Sequence, residues 1–277
     1  MKEELKELSK GIGKAVETVP ELYQDAFQPS AQEVGKLAGR VPRVINALLS
    51  NVDIWTLKRE YAVKEAQKLL ELKLEHIDQE KIVEPESYVA IPAIQAISYS
   101  MGNEELRNLY ANLLAKAMID DTKESVHPSF VEIIKQMSPI DALVFKMIVE
   151  AGIRPIINLR RKTPSDGSNI IQNHCTWIKD FSIKQCATSI DNLLRLGLIE
   201  IPFGKYYIQQ EIYNHIKENP LFQELEQESV KTLADGEIID YEKSYIKLSD
   251  FSMLFYNICV VNPCLLYTSD AADDSLR

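Results

Sequence analysis

Residues that could form a metal site are few and widely separated in this sequence. The four histidines are His76, His127, His174 and His215, and the nearest approach to a zinc motif is His174 and Cys175 followed by Cys186. A zinc centre needs three or four converging ligands. The first two lie in a predicted loop and Cys186 falls on the apolar face of a predicted helix, so we expect no metal site.

A second candidate for chemistry is an acid–base group made of Asp120, Asp121 and His127. The simpler interpretation, which we favour, is a pair of loop carboxylates and a histidine that precedes a capped helix start at Ser129. The sequence has no phosphate-binding loop, dinucleotide fingerprint, hydrolase elbow or zinc-protease motif. It therefore predicts no catalytic residues and no cofactor, and we expect a protein that is not an enzyme.

Basic residues offer a different kind of site, for nucleic acid or a partner protein. The segment from Arg154 to Lys184 carries six cations against two acids. The candidate contact residues are Arg160, Arg161, Lys162, Lys184 and Arg195. The net charge of −10 repels nucleic acid on average. A protein partner is therefore the favoured interpretation and nucleic acid the lesser one.

Another set of cations lies on a predicted amphipathic helix over residues 31–50. Its apolar positions recur at helical spacing, and Lys36, Arg40 and Arg43 fall elsewhere on its surface. The favoured interpretation is a packing helix that kinks or restarts at Pro42. The alternative is an interfacial helix whose cations contact lipid head groups.

Composition sets limits on size and location. A chain of 277 residues, 45% hydrophobic and 26% charged, can form two modest soluble domains. Its four cysteines have no CxxC spacing and indicate reduced thiols. The charged start, residues 1–10, does not look like a signal peptide, and no run of about 18 apolar residues occurs. We expect a cytoplasmic protein, with peripheral attachment at the inner face of the membrane as the alternative.

The elements before residue 152 read as helices. We predict helices over 55–76 and 91–99, and one from Glu104 whose apolar residues recur every three or four positions. Residues 120–125 read as a solvated loop. Ser129 with Glu132, and Ser138 with Pro139 and Asp141, are start signals for two more helices, the second of which ends at Gly152.

After Gly152 strands join the helices. Residues 155–159 and 198–201 read as short strands, 160–173 as a loop, and Ser182 to Gly197 as a helix. A helical insertion over 209–233 breaks at Pro220, a strand follows at 245–248, and Ser249 begins the last helix. This order resembles a winged helix. We predict a mainly α fold: an N-terminal extension (1–30), a helical domain (31–136) and a winged-helix-like α+β domain with a helical insertion (137–263).

Two long stretches resemble a known family. They are "EKIVEPESYVAIPAIQAISYS" and "EELRNLYANLLAKAMIDDTKESVHPSFVEIIKQMSPIDALVFKMI", and "NLLRLGLIEIP" and "YIKLSDFSMLFYNIC" follow near the end. They look like the Abi-alpha (abortive infection alpha) family of bacterial proteins associated with defence against phage. That resemblance implies no catalytic residue. The last stretch, "CLLYTSDAADDSLR" (264–277), resembles a translated sequencing adapter, so we expect a non-native, disordered tail.

The sequence and this resemblance together predict a non-enzymatic phage-defence protein that acts through protein–protein interaction. Two alternatives stay open: a membrane-active effector that uses residues 31–50, and a DNA-binding regulator that uses the winged helix. A homo-oligomer is compatible with each of these.

Overall fold

A computed structural model describes residues 57–100, 102–152 and 154–263. The extension over 1–30, the amphipathic helix over 31–50 with Lys36, Arg40 and Arg43, and the tail over 264–277 lie outside the described residues. The predictions that concern them stay predictions.

The first half of the described chain is helical, as predicted. Its elements are α1 (Leu57–Leu74), a 3₁₀ turn (Gln79–Lys81), α2 (Ser87–Tyr99), α3 (Glu104–Ala117), α4 (Asp120–Lys123), α5 (Ser129–Lys135) and α6 (Pro139–Ala151). The loop predicted over 120–125 is wrong for residues 120–123, which form the helical turn α4, and residues 124–125 lie in a turn. The Ile119 carbonyl accepts hydrogen bonds from the N–H groups of Thr122 and Lys123, so the local backbone is satisfied without apolar residues.

One of the two predicted start signals in this half is confirmed and the other is wrong. The Asp141 N–H donates to Ser138 Oγ (3.2 Å) while the Ser138 N–H donates to Asp141 Oδ2 (2.7 Å), which makes a capping box. Ser129 is instead the first residue of α5 and its side chain caps nothing. Its N–H donates to His127 Nδ1 (3.2 Å), so the histidine satisfies this backbone group.

A three-stranded antiparallel sheet follows α6. Its strands are β1 (Arg154–Lys162), β2 (Ser168–Cys175) and β3 (Ile238–Ile246), in the order β2–β1–β3. The loop predicted over 160–173 holds only for the turn at residues 163–167, because residues 160–162 end β1 and residues 168–173 form most of β2. The turn bends at Asp166, which has a positive φ of 65°. Residues 198–201 make only a single bridge, Glu200 with Lys247, and the third strand begins at Ile238 rather than Tyr245.

The remaining helices match the predicted order. They are α7 (Ile183–Arg195), α8 (Glu211–Lys217), α9 (Pro220–Val230) and α10 (Asp250–Phe255), which continues as a π-helical turn (Tyr256–Val260). Ser182 and Ser249 both form capping boxes. Pro220 begins α9, which confirms the break predicted inside the helical insertion.

The sheet lies between two hydrophobic cores. The larger core contains side chains from α1 through the π-helical turn, and Ile156 joins it from β1. The smaller core lies on the opposite side, where Ile157 and Leu159 pack with Tyr213 of α8 and Phe222 of α9. The predicted helix-rich fold with a small β component is confirmed. The winged-helix arrangement and the boundary at residue 136 stay predictions.

Candidate interaction surface

The three predicted contact cations on β1 all lie beside carboxylates. Arg160 bonds Glu242 across the sheet, and Arg161 Nε is 3.6 Å from Glu237 Oε2. Lys162 Nζ is 2.9 Å from Asp166 Oδ1, which raises the pKa of Lys162 and lowers the pKa of Asp166. The positive charge of these three side chains is therefore largely neutralised at short range.

Lys184 and Arg195 lie on α7, beside the turn between α5 and α6. Lys184 is exposed at the edge of a shallow groove of about 720 Å³. Arg195 donates to Gln136 Oε1 (2.7 Å) and to Asn192 Oδ1, and Asn192 Nδ2 donates to Asp141 Oδ2 (2.8 Å). Arg195 and Asn192 are thus occupied in holding α7 to the start of α6, and Lys184 is left facing solvent.

A series of hydrogen-bonded polar groups, which the sequence did not predict, crosses the sheet at Asn158. Asn158 Nδ2 donates to Glu242 Oε2 (2.8 Å) on β3, the same oxygen that Arg160 bonds. Asn158 Oδ1 accepts from the His174 N–H (2.9 Å) on β2. His174 Nδ1 is in turn 2.8 Å from Asp191 Oδ1 on α7. No sequence spacing signals this series, since its members come from three strands and a helix.

The outer edge of β3 is open along most of its length. The Lys247 N–H and C=O, just past β3, both point away from β1, because they bond the C=O and N–H of Glu200. Backbone direction alternates along a strand, and the β1–β3 register runs without a shift from Arg154 to Lys162. The backbone groups of Tyr241 and Lys243 therefore point outward too, and neither has a backbone partner among the described residues on that side.

A cleft of about 520 Å³ lies along this edge, and we call it the β3-edge cleft. It is lined by Asn158, residues 201–204, Tyr206, Gln210 and residues 241–244. The loop that contributes Phe203 (98% exposed) and Tyr206 (57% exposed) to this lining also carries Ile208, which is 88% exposed. Large apolar side chains this exposed are unusual in a soluble protein when they lie together.

The loop that carries these exposed side chains is held in place. The Tyr207 N–H donates to the Tyr213 hydroxyl (3.0 Å), which donates to the Ser244 carbonyl (3.0 Å). Ser244 Oγ donates to the Lys205 carbonyl (3.2 Å). The rings of Tyr207 and Tyr245 also pack with centroids 4.6 Å apart. The exposed aromatic residues are therefore presented by an anchored loop.

The residues weighed for metal or acid–base chemistry lie in unrelated surroundings. Cys175 and Cys186 are buried free thiols, and burial raises the pKa of both, that of Cys175 to about 12. Asp120 pairs with Lys123, Asp121 with Lys81, and His127 with Ser129. Within residues 57–263, wherever the structure describes them, no three His, Cys, Asp or Glu side chains come together as a metal-binding group.

A buried polar pair on α3 was also not predicted. Asn112 Nδ2 donates to the carbonyls of Cys259 (2.9 Å) and Val260 (3.1 Å), which fixes the π-helical turn against α3. Lys116 lies one turn further along α3 and is only 1% exposed. Burial lowers the pKa of its ammonium group, because a low-dielectric environment disfavours the charged form.

The membrane contacts proposed for Lys36, Arg40 and Arg43 lie outside the described residues. In the part of the chain that is described, none of the helices combines the length and the apolar character needed to span a bilayer.

Comparison with known proteins identifies one family. The family model described as "Abortive infection alpha" matches residues 58–259, which is well over half of the chain. The chain matches no curated protein and no solved structure.

Proposed function

The chain belongs to the abortive infection alpha family, and on that premise we propose that it takes part in phage defence by binding a protein partner at the β3-edge cleft, without catalysing a reaction. The family description supports the biological setting. The surface supports the mode of action. The observation that carries the proposal is the near-complete exposure of Phe203 on an anchored loop.

Exposed aromatic side chains beside a cleft are typical of protein-binding surfaces. Aromatic residues dominate interface energies when a partner desolvates them. A fixed loop also loses little conformational entropy on binding, so more of the contact energy appears as affinity. Phe203 and Tyr206 meet both conditions.

The two alternatives have weaker support. For DNA binding, the cations on β1 have carboxylate neighbours and Arg195 is occupied with Gln136 and Asn192. An electrophoretic shift with the operon's own upstream DNA separates this reading from ours. The membrane reading rests on residues 31–50, and co-sedimentation with anionic liposomes tests it.

The finer points of location and fold are part of the proposal. We place the protein in the cytoplasm, because Cys175, Cys186 and Cys259 are free thiols. We also retain a winged-helix-like arrangement for residues 137–263, with α7 as its second helix and the Glu200–Lys247 bridge after it.

A plaque assay tests the proposed function. A bacterial host expressing the protein is challenged with a phage that it resists, and compared with a host expressing the triple variant Phe203→Ser, Tyr206→Ser, Ile208→Ser. We expect the variant to lose protection while its circular dichroism and melting temperature stay close to those of the parent. The matched control is Val230→Ser, an exposed apolar residue on α9, which should protect fully.

Two results contradict the proposal. One is full protection by the folded triple variant. The other is turnover of nucleotides, NAD or nucleic acid by the purified protein in an activity screen, since binding alone converts no substrate.

A further inference from the structure

We propose that the β3-edge cleft binds an extended peptide segment of a partner protein, which adds as a further strand beside β3 and places basic side chains opposite Glu242 and Asp240. This inference rests on the proposed function and specifies the chemistry of the partner.

The backbone supplies the first part of the argument. The N–H and C=O groups that Tyr241 and Lys243 direct outward have no backbone partner in the described part of the chain, whereas Lys247 pairs in this way with Glu200. That isolated bridge does not extend toward Tyr245, because Pro202 has no N–H to continue the ladder. An incoming extended segment continues the same pairing along β3, the mode by which open sheet edges bind peptides.

The charges beside the edge define which segment fits. Asp240 and Glu242 are two residues apart, so their side chains lie on the same face of the sheet. Asn158 and Arg160 both donate to Oε2 of Glu242. No described residue donates to Oε1 of Glu242, so that oxygen can accept from a ligand. Asp240 faces Arg160 in the strand register and helps to raise the pKa of Lys162, but among the described residues these two cations form their close ion pairs with Glu242 and Asp166. Two carboxylates at alternate positions match two cations at alternate positions of an added strand.

The aromatic wall strengthens that preference. Phe203 and Tyr206 line the cleft together with Glu242 and Asn158. A lysine or arginine stem can lie along such rings while its charged end reaches a carboxylate, and cation–π attraction adds to the ion pair. The neighbouring cation Lys243 also lines the cleft, but it lies on the opposite face of β3 from Glu242, where it bonds Gln210 and lies 5.4 Å from the Tyr213 ring centroid.

The residue between the two cations has a different environment. It lies opposite Tyr241, on the face that packs toward Phe222 and α9. An apolar residue suits that position. The predicted ligand is therefore an extended segment in which basic and apolar residues alternate.

A second copy of this chain is a poor occupant. Two β3 edges paired around Tyr241 would set Asp240 against the partner's Glu242. Pairing around Lys243 would set two lysines against each other. Like charges directly opposite each other destabilise a strand pair, so we assign the edge to a different protein.

The test measures binding of short probes to the purified full chain by fluorescence anisotropy. The probe is a labelled, end-capped hexapeptide that alternates lysine with valine, and its comparator replaces lysine with glutamate. We expect the lysine peptide to bind at least about tenfold more tightly, a ratio that one favourable ion pair supplies. The double variant Asp240→Asn, Glu242→Gln should reduce that ratio to about threefold or less.

Backbone pairing is tested separately. In the predicted register the valine N–H groups face β3 and the lysine N–H groups face solvent. N-methylation of the valines should abolish binding, whereas N-methylation of the lysines should change affinity less than about threefold.

Two controls keep the result readable. Glu228→Gln, on the exposed side of α9, should leave the ratio unchanged. Asp240→Asn alone keeps the Arg160–Glu242 pair and replaces the double variant if that variant fails to fold. It should also lower the affinity ratio.

Equal affinity for the lysine and glutamate peptides, or equal binding of the valine-methylated peptide, overturns the inference. If the loop triple variant loses phage protection but the lysine peptide does not bind, the proposed function stands and this inference fails. If the peptide binds as expected but the folded triple variant protects fully, the inference stands and the proposed function fails.

Discussion

Asn158 holds His174 in a left-handed backbone conformation at the irregular end of the β1–β2 pairing. Asn158 Oδ1 accepts the His174 N–H at 2.9 Å, and His174 has a φ of 53°. The β1–β2 register shifts between Ile157 and Leu159, on either side of Asn158. Because Asn158 also donates to Glu242, one side chain ties the distorted strand to the carboxylate of the β3-edge cleft.

Replacing Asn158 with alanine should therefore destabilise the sheet. The change leaves the part-buried His174 N–H without its acceptor and leaves Glu242 with Arg160 as its one remaining donor among the described residues, at a cost of about 1–3 kcal/mol in the free energy of unfolding. Urea denaturation measures that cost. Asn169→Ala, at an exposed position of β2, is the control and should change stability by less than about 0.5 kcal/mol. Equal free energies of unfolding for the two variants would show that the hydrogen bonds of Asn158 do not stabilise the sheet.

Lys116→Met should stabilise the protein. Burial lowers the pKa of Lys116 below its ordinary 10.5, so keeping it charged carries a penalty that methionine removes. We expect a gain of about 1–3 kcal/mol at neutral pH by urea denaturation.

The pH dependence of that gain has a defined sign. The penalty is fully present below the folded-state pKa of Lys116 and disappears as the pH rises to the unfolded-state value. The stability difference between Lys116→Met and the parent should shrink as the pH approaches 10.5. Lys146→Met, on an exposed position of α6, should give no gain. A loss of stability in Lys116→Met would show that the ammonium group has a stabilising role.

The buried thiols should be unreactive until the protein unfolds. Burial raises the pKa of Cys175 to about 12 and raises those of Cys186 and Cys259. Little thiolate exists at pH 8, and reagents cannot reach the sulfur atoms. In a Cys264→Ser background, a thiol-labelling reagent at pH 8 should modify no cysteine in the native protein and three in urea. Rapid labelling of the native protein would show that one of these sites opens.

The two helix-start signals before α5 and α6 should differ in their contribution to stability. Ser138→Ala removes a side-chain cap and should cost about 0.5–2 kcal/mol. Ser129→Ala should cost less than about 0.5 kcal/mol, since Ser129 makes no cap, its N–H keeps His127 as acceptor, and the hydrogen bond from its Oγ to His127 is exposed to solvent. Thermal and urea denaturation of the two variants compare them directly. A larger loss of stability for Ser129→Ala than for Ser138→Ala would contradict this difference between the two helix starts.

The strands around the site were hard to predict for a physical reason. Arg160, Arg161 and Lys162 carry no apolar alternation, so their stretch reads as a loop. They are strand residues because β3 arrives from some 80 positions later and pairs with them in register. Only then do Glu242 and Glu237 lie close enough to neutralise the cations.

The sequence by itself determined the elements that depend on near neighbours. The caps at Ser138, Ser182 and Ser249, the break at Pro220 and the helical periodicity of α3 all rest on groups within a few residues of each other. Tertiary structure alone decided the open edge of β3, the link from Asn158 to His174, and the burial of Lys116. These features depend on contacts between distant parts of the chain, whose geometry no local spacing encodes.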